Sequence, residues 1–315
     1  MKNLKVHLLL ILSIGFAFPA CSQRASDPSK RKLILRDEGL SQLSFEDTGN
    51  PEANWYTKVP PGRDLQLIGN GLVLIGTGTG YEEREVASGK KVKELTSYEG
   101  TMSARRLRNG NTLLAGLNWQ GKKGVSLIEV GDDGNVKRTI DYPELTSVRL
   151  VRETPVGTFL LTSNVMVYEG NADGKIIKSF NITGPKTTNA WQAMRTEKGK
   201  TVICGGYSGN IQIFDADAKL IKTITGPEEV HPKFYAGCQI LPNGNIVVTN
   251  WQGHGPEFGE SGTQLLEYTQ NGDLVWSWKQ DASKYSSLQG VIILDGLDVK
   301  KLHVENEKGV LAPVK

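Results

Sequence analysis

Arg105-Arg106-Leu107-Arg108-Asn109-Gly110-Asn111-Thr112-Leu113-Leu114 and Gln239-Ile240-Leu241-Pro242-Asn243-Gly244-Asn245-Ile246-Val247-Val248 are two copies of one pattern. Each is a short strand, an Asn-Gly turn and an apolar strand, the strongest short-range hairpin signal. Each continues into the same tetrapeptide, Asn118-Trp119-Gln120-Gly121 in one and Asn250-Trp251-Gln252-Gly253 in the other. Each then reaches a third strand, Val125 to Val130 or Gln264 to Tyr268. A turn follows, Asp132-Asp133-Gly134-Asn135 or Gln270-Asn271-Gly272-Asp273, and then a fourth strand, Val136 to Ile140 or Leu274 to Trp278. The unit is a four-stranded antiparallel meander.

Two weaker copies lie between these, Ser147 to Phe180 and Trp191 to Ile224, and a further one runs from Leu65 to Leu95. Asn109 and Asn243 are 134 residues apart, three steps of about 45, the spacing of propeller blades. Two incomplete pieces remain. Leu288 to Asp295 reads as a single apolar strand with no blade after it. Lys32 to Leu35, Leu43 to Phe45 and Trp55 to Val59 read as second, third and fourth strands with no first. Together they make one blade shared by the two ends of the chain, and such closure removes exposed sheet edges. The expected fold is therefore all-β, a six-bladed β-propeller whose N-terminal strands complete the last blade. The competing architecture, a β-sandwich or two small β domains, does not predict complementary incomplete ends. The expected organisation is a signal peptide (1–20), a tether (21–31), the propeller (32–298) and a charged tail lying over the surface (299–315).

Leu241-Pro242-Asn243-Gly244-Asn245, Asn250-Trp251-Gln252-Gly253-His254-Gly255 and Gly272-Asp273-Leu274-Val275-Trp276-Ser277-Trp278 resemble the blades of PQQ-like and NHL-like β-propeller repeat proteins. The resemblance covers most of the chain after its leader. It implies architecture and not chemistry, because such repeats carry enzymes, binding modules and scaffolds alike. Quinone binding is not implied. The quinoprotein dehydrogenases are usually larger rings, often with adjacent cysteines in the pocket, and this chain has no adjacent pair.

Charged residues are 23% and hydrophobic residues 38%, as in a globular protein. A net charge of +3 with no basic stripe gives no reason to expect nucleic acid as a partner. Lys2 and Lys5 precede an apolar stretch, Val6 to Phe18, that is short for a membrane span. It ends in Phe18-Pro19-Ala20-Cys21, which reads as an export signal. Ordinary cleavage after Ala20 competes with lipidation of Cys21. The bulky Phe18 disfavours the first, and Ala20-Cys21 suits the second. Ser22 follows the cysteine without an Asp, which resembles an outer-membrane destination facing the periplasm. Cys204 and Cys238 remain as a pair that export would allow to join. Each also lies in an apolar strand pattern, where unpaired buried cysteine is common.

Tight turns join strands one to two and three to four, so the longer loops share the opposite face, where binding residues concentrate. Aligning the innermost strands places Arg105, Arg149, Gln192 and Gln239 at corresponding positions around the channel. Two guanidinium groups near one axis favour a carboxylate, sulfate or phosphate. Trp191, Phe234 and Tyr235 nearby, with Trp119 and Trp251 on the loops, offer flat apolar faces suited to a sugar. The same residues fit a structural role, with Arg and Gln satisfying backbone carbonyls and Trp packing between blades. His231 and His254 have no neighbour at metal-ligand spacing, and no nucleophile or phosphate-loop motif occurs.

The expected function is binding of a small ligand at the channel mouth, an anionic sugar or sugar acid, by a monomer with no cofactor or metal. No catalytic residue is assigned. A lactonase-like hydrolase or a lyase on sugar acids is the alternative. Lactonase-like enzymes hold a divalent metal through channel carboxylates and amides, and Arg at the aligned places departs from that. A structural part of an envelope assembly is the third reading. The anchor is tested directly: Cys21→Ser should release the protein from membranes. A wild-type chain that begins at an unmodified Cys21 and fractionates as soluble would sink the lipid anchor.

Overall fold

The computed structural model describes residues 30–184 and 189–314. Cys21 and the expected signal peptide lie outside the described residues. Six four-stranded antiparallel sheets stand around an axis as six blades. Blades 1 to 5 are sequential: Leu65–Leu95, Ser103–Tyr142, Val151–Asn181, Ala193–Thr225 and Phe234–Trp278. Blade 6 is shared. Its inner strand is Leu288–Ile293, and its other three are Lys32–Asp37, Gln42–Asp47 and Trp55–Lys58. Leu33 pairs with Ile293, Ile34 with Ile292 and Leu35 with Val291, so the two ends of the chain are hydrogen-bonded to each other.

The hydrophobic core is divided into wedges, one at each blade–blade interface. Met194 and Val202 of blade 4 meet Ile240 and Val248 of blade 5. Ile34 and Ile292 of blade 6 meet Leu67 and Val73 of blade 1. Side chains alternate along each strand, so both faces of a blade are apolar and each serves a different neighbour. The Asn-Gly turns form as read. Leu107 N–H donates to Asn111 O and Leu241 N–H to Asn245 O, with Gly110 and Gly244 at φ of +87° and +86°, where a Cβ would be strained.

Glutamine amides stitch the inner strands together. Gln192 Nε2 donates to Cys238 O while Cys238 N–H donates back to Gln192 Oε1. Gln239 makes the same pair with Ile293, and Gln66 with Arg106. Each amide supplies one donor and one acceptor to a buried inner edge that would otherwise be unpaired. Further out, Arg31, Arg106 and Arg195 each reach back to a carboxylate of the preceding blade, Glu267, Glu83 and Glu169. Arg31 also lies 4.2 Å over the Trp276 ring, so the last residue of the expected tether packs on blade 5.

The expectation of a surface tail is corrected. His303–Glu305 and Leu311–Pro313 form a hairpin, with His303, Val304 and Glu305 buried. The segment hydrogen-bonds blade 1 through Asn70 and Gly71, bridges Ile68 and Ile240, and covers the channel at the tight-turn end. Its high charge content hid this, because its one inward carboxylate, Glu305, is neutralised only by partners far away in sequence.

Candidate functional site

The inner strands place two sets of polar side chains along the axis. The lower set is closed. Glu305 Oε1 lies 2.6 Å from Arg105 Nη2 and 3.7 Å from Arg152 Nε, and Arg152 Nη2 lies 2.9 Å from Asp64 Oδ1. Ser103 Oγ donates to Asp64 Oδ2. Burial alone would raise the Glu305 carboxyl, but Arg105 and Arg152 outweigh it and hold it below its usual value. Burial and the neighbouring Arg152 charge lower Arg105. Two carboxylates balance two guanidiniums, and the channel here narrows to about 40 Å³ of free space.

Above it, at the long-loop end, opens a cavity of about 590 Å³, within the range of small-molecule sites. Arg36, Arg63 and Arg149 line it. Among the described residues, none of the three has a carboxylate at ion-pair distance. Arg36 is almost fully buried. Its Nη2 donates to Pro60 O, and its Nη1 has no partner. The Nε of Arg149 is likewise unsatisfied. Burial pushes Arg36 and Arg149 down to about 10, with the Arg63 charge adding to the shift at Arg149. Burial also lowers Arg63, partly offset by Glu38. Values near 10 leave the groups charged at neutral pH, so three guanidiniums share the cavity with two lining carboxylates, Asp37 and Glu38, neither of which is ion-paired to them.

Its wall is aromatic. Arg63 and Arg149 lie 5.3 and 5.8 Å from the centroid of one ring, Trp191. Phe234 stands edge-on to Trp191, Tyr207 and Trp251, with centroids 5.4, 4.6 and 5.3 Å away. At the rim, His254 Nδ1 lies 2.8 Å from Glu38 Oε1, and Trp251 Nε1 donates to Glu38 Oε2. The His254 ring packs edge-on to Trp251, leaving its Nε2 without a protein partner among the described residues.

The structure sorts the sequence-predicted residues into different places. Arg149, Trp191 and Trp251 line the mouth. Arg105, Gln192 and Gln239 lie along the closed channel below, engaged with Glu305 and neighbouring backbone. Tyr235 is buried between blades 4 and 5, sharing a hydrogen bond with Tyr268. Trp119 packs on Tyr98 over Gly116 and donates to Glu99 O, beside the cavity and not in its lining. The four aligned positions therefore do not converge at one mouth. Counting from the inner turn hydrogen bonds at Leu107, Thr154, Thr196 and Leu241, the residues two before are Arg105, Arg152, Met194 and Gln239. Arg152 is the true counterpart of Arg105, and Arg149 sits nearer the mouth.

The two tetrapeptides also differ in place. Asn118 comes seven residues after Asn111, whereas Asn250 comes five after Asn245. Asn118 adopts a left-handed conformation that starts a loop, while Asn250 and Trp251 finish a strand. That spacing was available in the sequence. Arg36, Arg63, Tyr207 and Glu38 were not legible, because no repeat or motif marks them.

No protein-family profile matches the chain, and no curated protein is similar to it. Solved structures share its fold. A Bacteroides caccae protein of unknown function is 20% identical with a TM-score of 0.67, over 84% of this chain and 98% of that one. A calcium-binding protein, regucalcin, from Agrobacterium tumefaciens is 17% identical with a TM-score of 0.56, over 84% and 91%. A catalytically inactive virginiamycin B lyase from Staphylococcus aureus, solved with quinupristin, is 11% identical with a TM-score of 0.52, over 81% and 86%. At these identities the likeness establishes the six-bladed propeller and nothing about chemistry.

The closed lower set makes a stability prediction. Glu305→Ala leaves Asp64 alone against two buried guanidiniums and should destabilise the fold by about 3–5 kcal/mol, the cost of breaking a buried ion pair. Glu305 is a carboxyl with a lowered folded value, so its contribution should be present above its unfolded value and lost as the pH falls through the folded one. Urea denaturation at neutral and acid pH checks both. A neutral-pH loss below about 1 kcal/mol, the ordinary result for a surface pair, would refute the role given to Glu305.

Proposed function

We propose that this protein binds a small carboxylate-bearing sugar in the mouth cavity. The carrying observation is three guanidinium groups around one cavity, none of which has a carboxylate at ion-pair distance among the described residues. A carboxylate bridging Arg63 and Arg149 supplies the missing charge, and the unpaired Nη1 of Arg36 offers a further donor. Trp191 and Trp251 give the cavity an apolar side suited to the body of a pyranose. Trp251 and Arg149, expected from sequence, keep this role, while Arg105, Gln192 and Gln239 serve as structural ties. Lipid anchoring at Cys21 accords with a periplasm-facing binding protein.

A second reading, a lyase or hydrolase on the same class of ligand, is favoured by one feature. Glu38 orients His254 at the rim and leaves Nε2 free, the arrangement of a general base whose ring is held by a carboxylate. The lyase and regucalcin neighbours show that this fold accommodates catalysis and cation binding in other chains. A lactonase-like metal site is less well supported, because the channel carboxylates Asp64 and Glu305 are already engaged by arginines.

Calorimetric titration with glucuronate, galacturonate and neutral glucose tests the binding reading. Uronates should bind and glucose should not. Arg149→Ala or Arg63→Ala should weaken uronate binding by about 1.5–3 kcal/mol, roughly 10- to 150-fold, the range for a hydrogen bond to a charged group. Equal binding by both variants and wild type would remove the proposal. In the same series His254→Gln should leave affinity within a few-fold while abolishing any conversion seen by NMR. Unchanged conversion would dismiss the enzymatic reading.

A further inference from the structure

We infer that Cys204 and Cys238 are joined by a disulfide in the exported protein, a cross-link between blades 4 and 5 directly behind the aromatic wall. Cys204 ends the second strand of blade 4, Thr201–Cys204, and Cys238 lies in the inner strand of blade 5, Phe234–Ile240. They belong to different sheets and are 34 positions apart, so only blade-on-blade packing brings them together. Their sulfurs are in contact at 2.6 Å inside the apolar cluster that fills this interface. The approach is held from the backbone side. Gln192 of blade 4 grips both the N–H and the C=O of Cys238.

Both residues are thiols in the structure. A buried dithiol gains only a weak S–H contact. Joining the sulfurs removes two S–H groups from an apolar site and restricts the unfolded chain by closing the intervening loop. The third cysteine of the chain, Cys21, is in the leader junction. The oxidant is a protein disulfide of the export compartment, where such bonds persist. One cysteine thiolate attacks that disulfide, forming a mixed disulfide and releasing one donor thiolate. The second cysteine thiolate then attacks the bonded sulfur of the first and displaces the other donor sulfur. Two electrons and two protons pass to the donor, which leaves as a dithiol, and this chain gains one S–S bond. Burial pushes the Cys204 thiol well above its ordinary value, so the exchange belongs to the stage before the two blades dock.

The cross-link bears on the mouth. Trp191 N–H donates to Cys204 O at 2.9 Å, and Phe234 starts the strand that carries Cys238. Tying the two strands fixes the edge-on pair of Trp191 and Phe234. The inference stands apart from the identity of any ligand.

The test uses the full-length chain exported by a Gram-negative host, denatured without reductant in excess iodoacetamide, and digested. The Cys204 and Cys238 peptides should appear as one species, two hydrogen atoms lighter than their sum, and should alkylate only after reduction. The same bond should form in cytosolically made protein refolded in a glutathione redox buffer. Reductant should lower the thermal midpoint of the wild type by several degrees, and should leave that of the Cys204→Ser/Cys238→Ser variant unmoved. Both cysteines carrying the alkyl group in unreduced exported and refolded protein would overturn the inference, whether or not the variant folds.

Discussion

Antiparallel pairing of Leu288–Ile293 with Lys32–Asp37 is the interaction on which the rest depends. No blade can bury both of its faces unless it has a neighbour on each side, and a ring supplies that only when it closes. Bringing together residues about 260 positions apart costs on the order of 5 kcal/mol of loop entropy. Leu33, Ile34, Leu35, Ile292 and Ile293 are all buried by the pairing, and side chains of this kind contribute about 1.5–3 kcal/mol each. Burial therefore outweighs the closure cost, and the ring forms from its two ends without a covalent clasp there.

Closure creates a second problem, a central channel lined by inner-strand edges. The protein solves it in two ways along the axis. In the lower part, glutamine amides bind neighbouring backbone, and the C-terminal hairpin brings Glu305 between Arg105 and Arg152. Charge is balanced and little space remains. In the upper part, Arg36, Arg63 and Arg149 have no carboxylate at ion-pair distance among the described residues, and space does remain. The closed channel and the open cavity thus use the same residue type at two depths, separated by whether a carboxylate of the chain pairs with it.

The blade repeat was readable because most of its tight turns carry a left-handed glycine and each strand a period of two, both local demands. Asn109-Gly110 and Asn243-Gly244 met both, and the half-blades at either end met the second. The candidate site was readable only in part. Of the residues aligned from the sequence, Arg149, Trp191 and Trp251 line the mouth cavity, whereas Arg105, Gln192 and Gln239 line the closed channel, so repetition does not imply a shared destination. Repetition at the axis arises equally from backbone groups that every blade must satisfy. Arg36 and Arg63 carried no such signal, since one belongs to the closing strand and the other to a connection between blades.

From the sequence alone came the number of blades, the position of the Asn-Gly and Asp-Gly turns and the sharing of the last blade, because these follow from backbone geometry and the pattern of apolar residues along a strand. Tertiary structure alone decided which arginines are neutralised and which are left open, that a charged C-terminal segment enters the channel, and that Cys204 meets Cys238. Each of these is a pairing between residues distant in sequence. Its outcome depends on three-dimensional distances of a few ångströms, which no local pattern encodes.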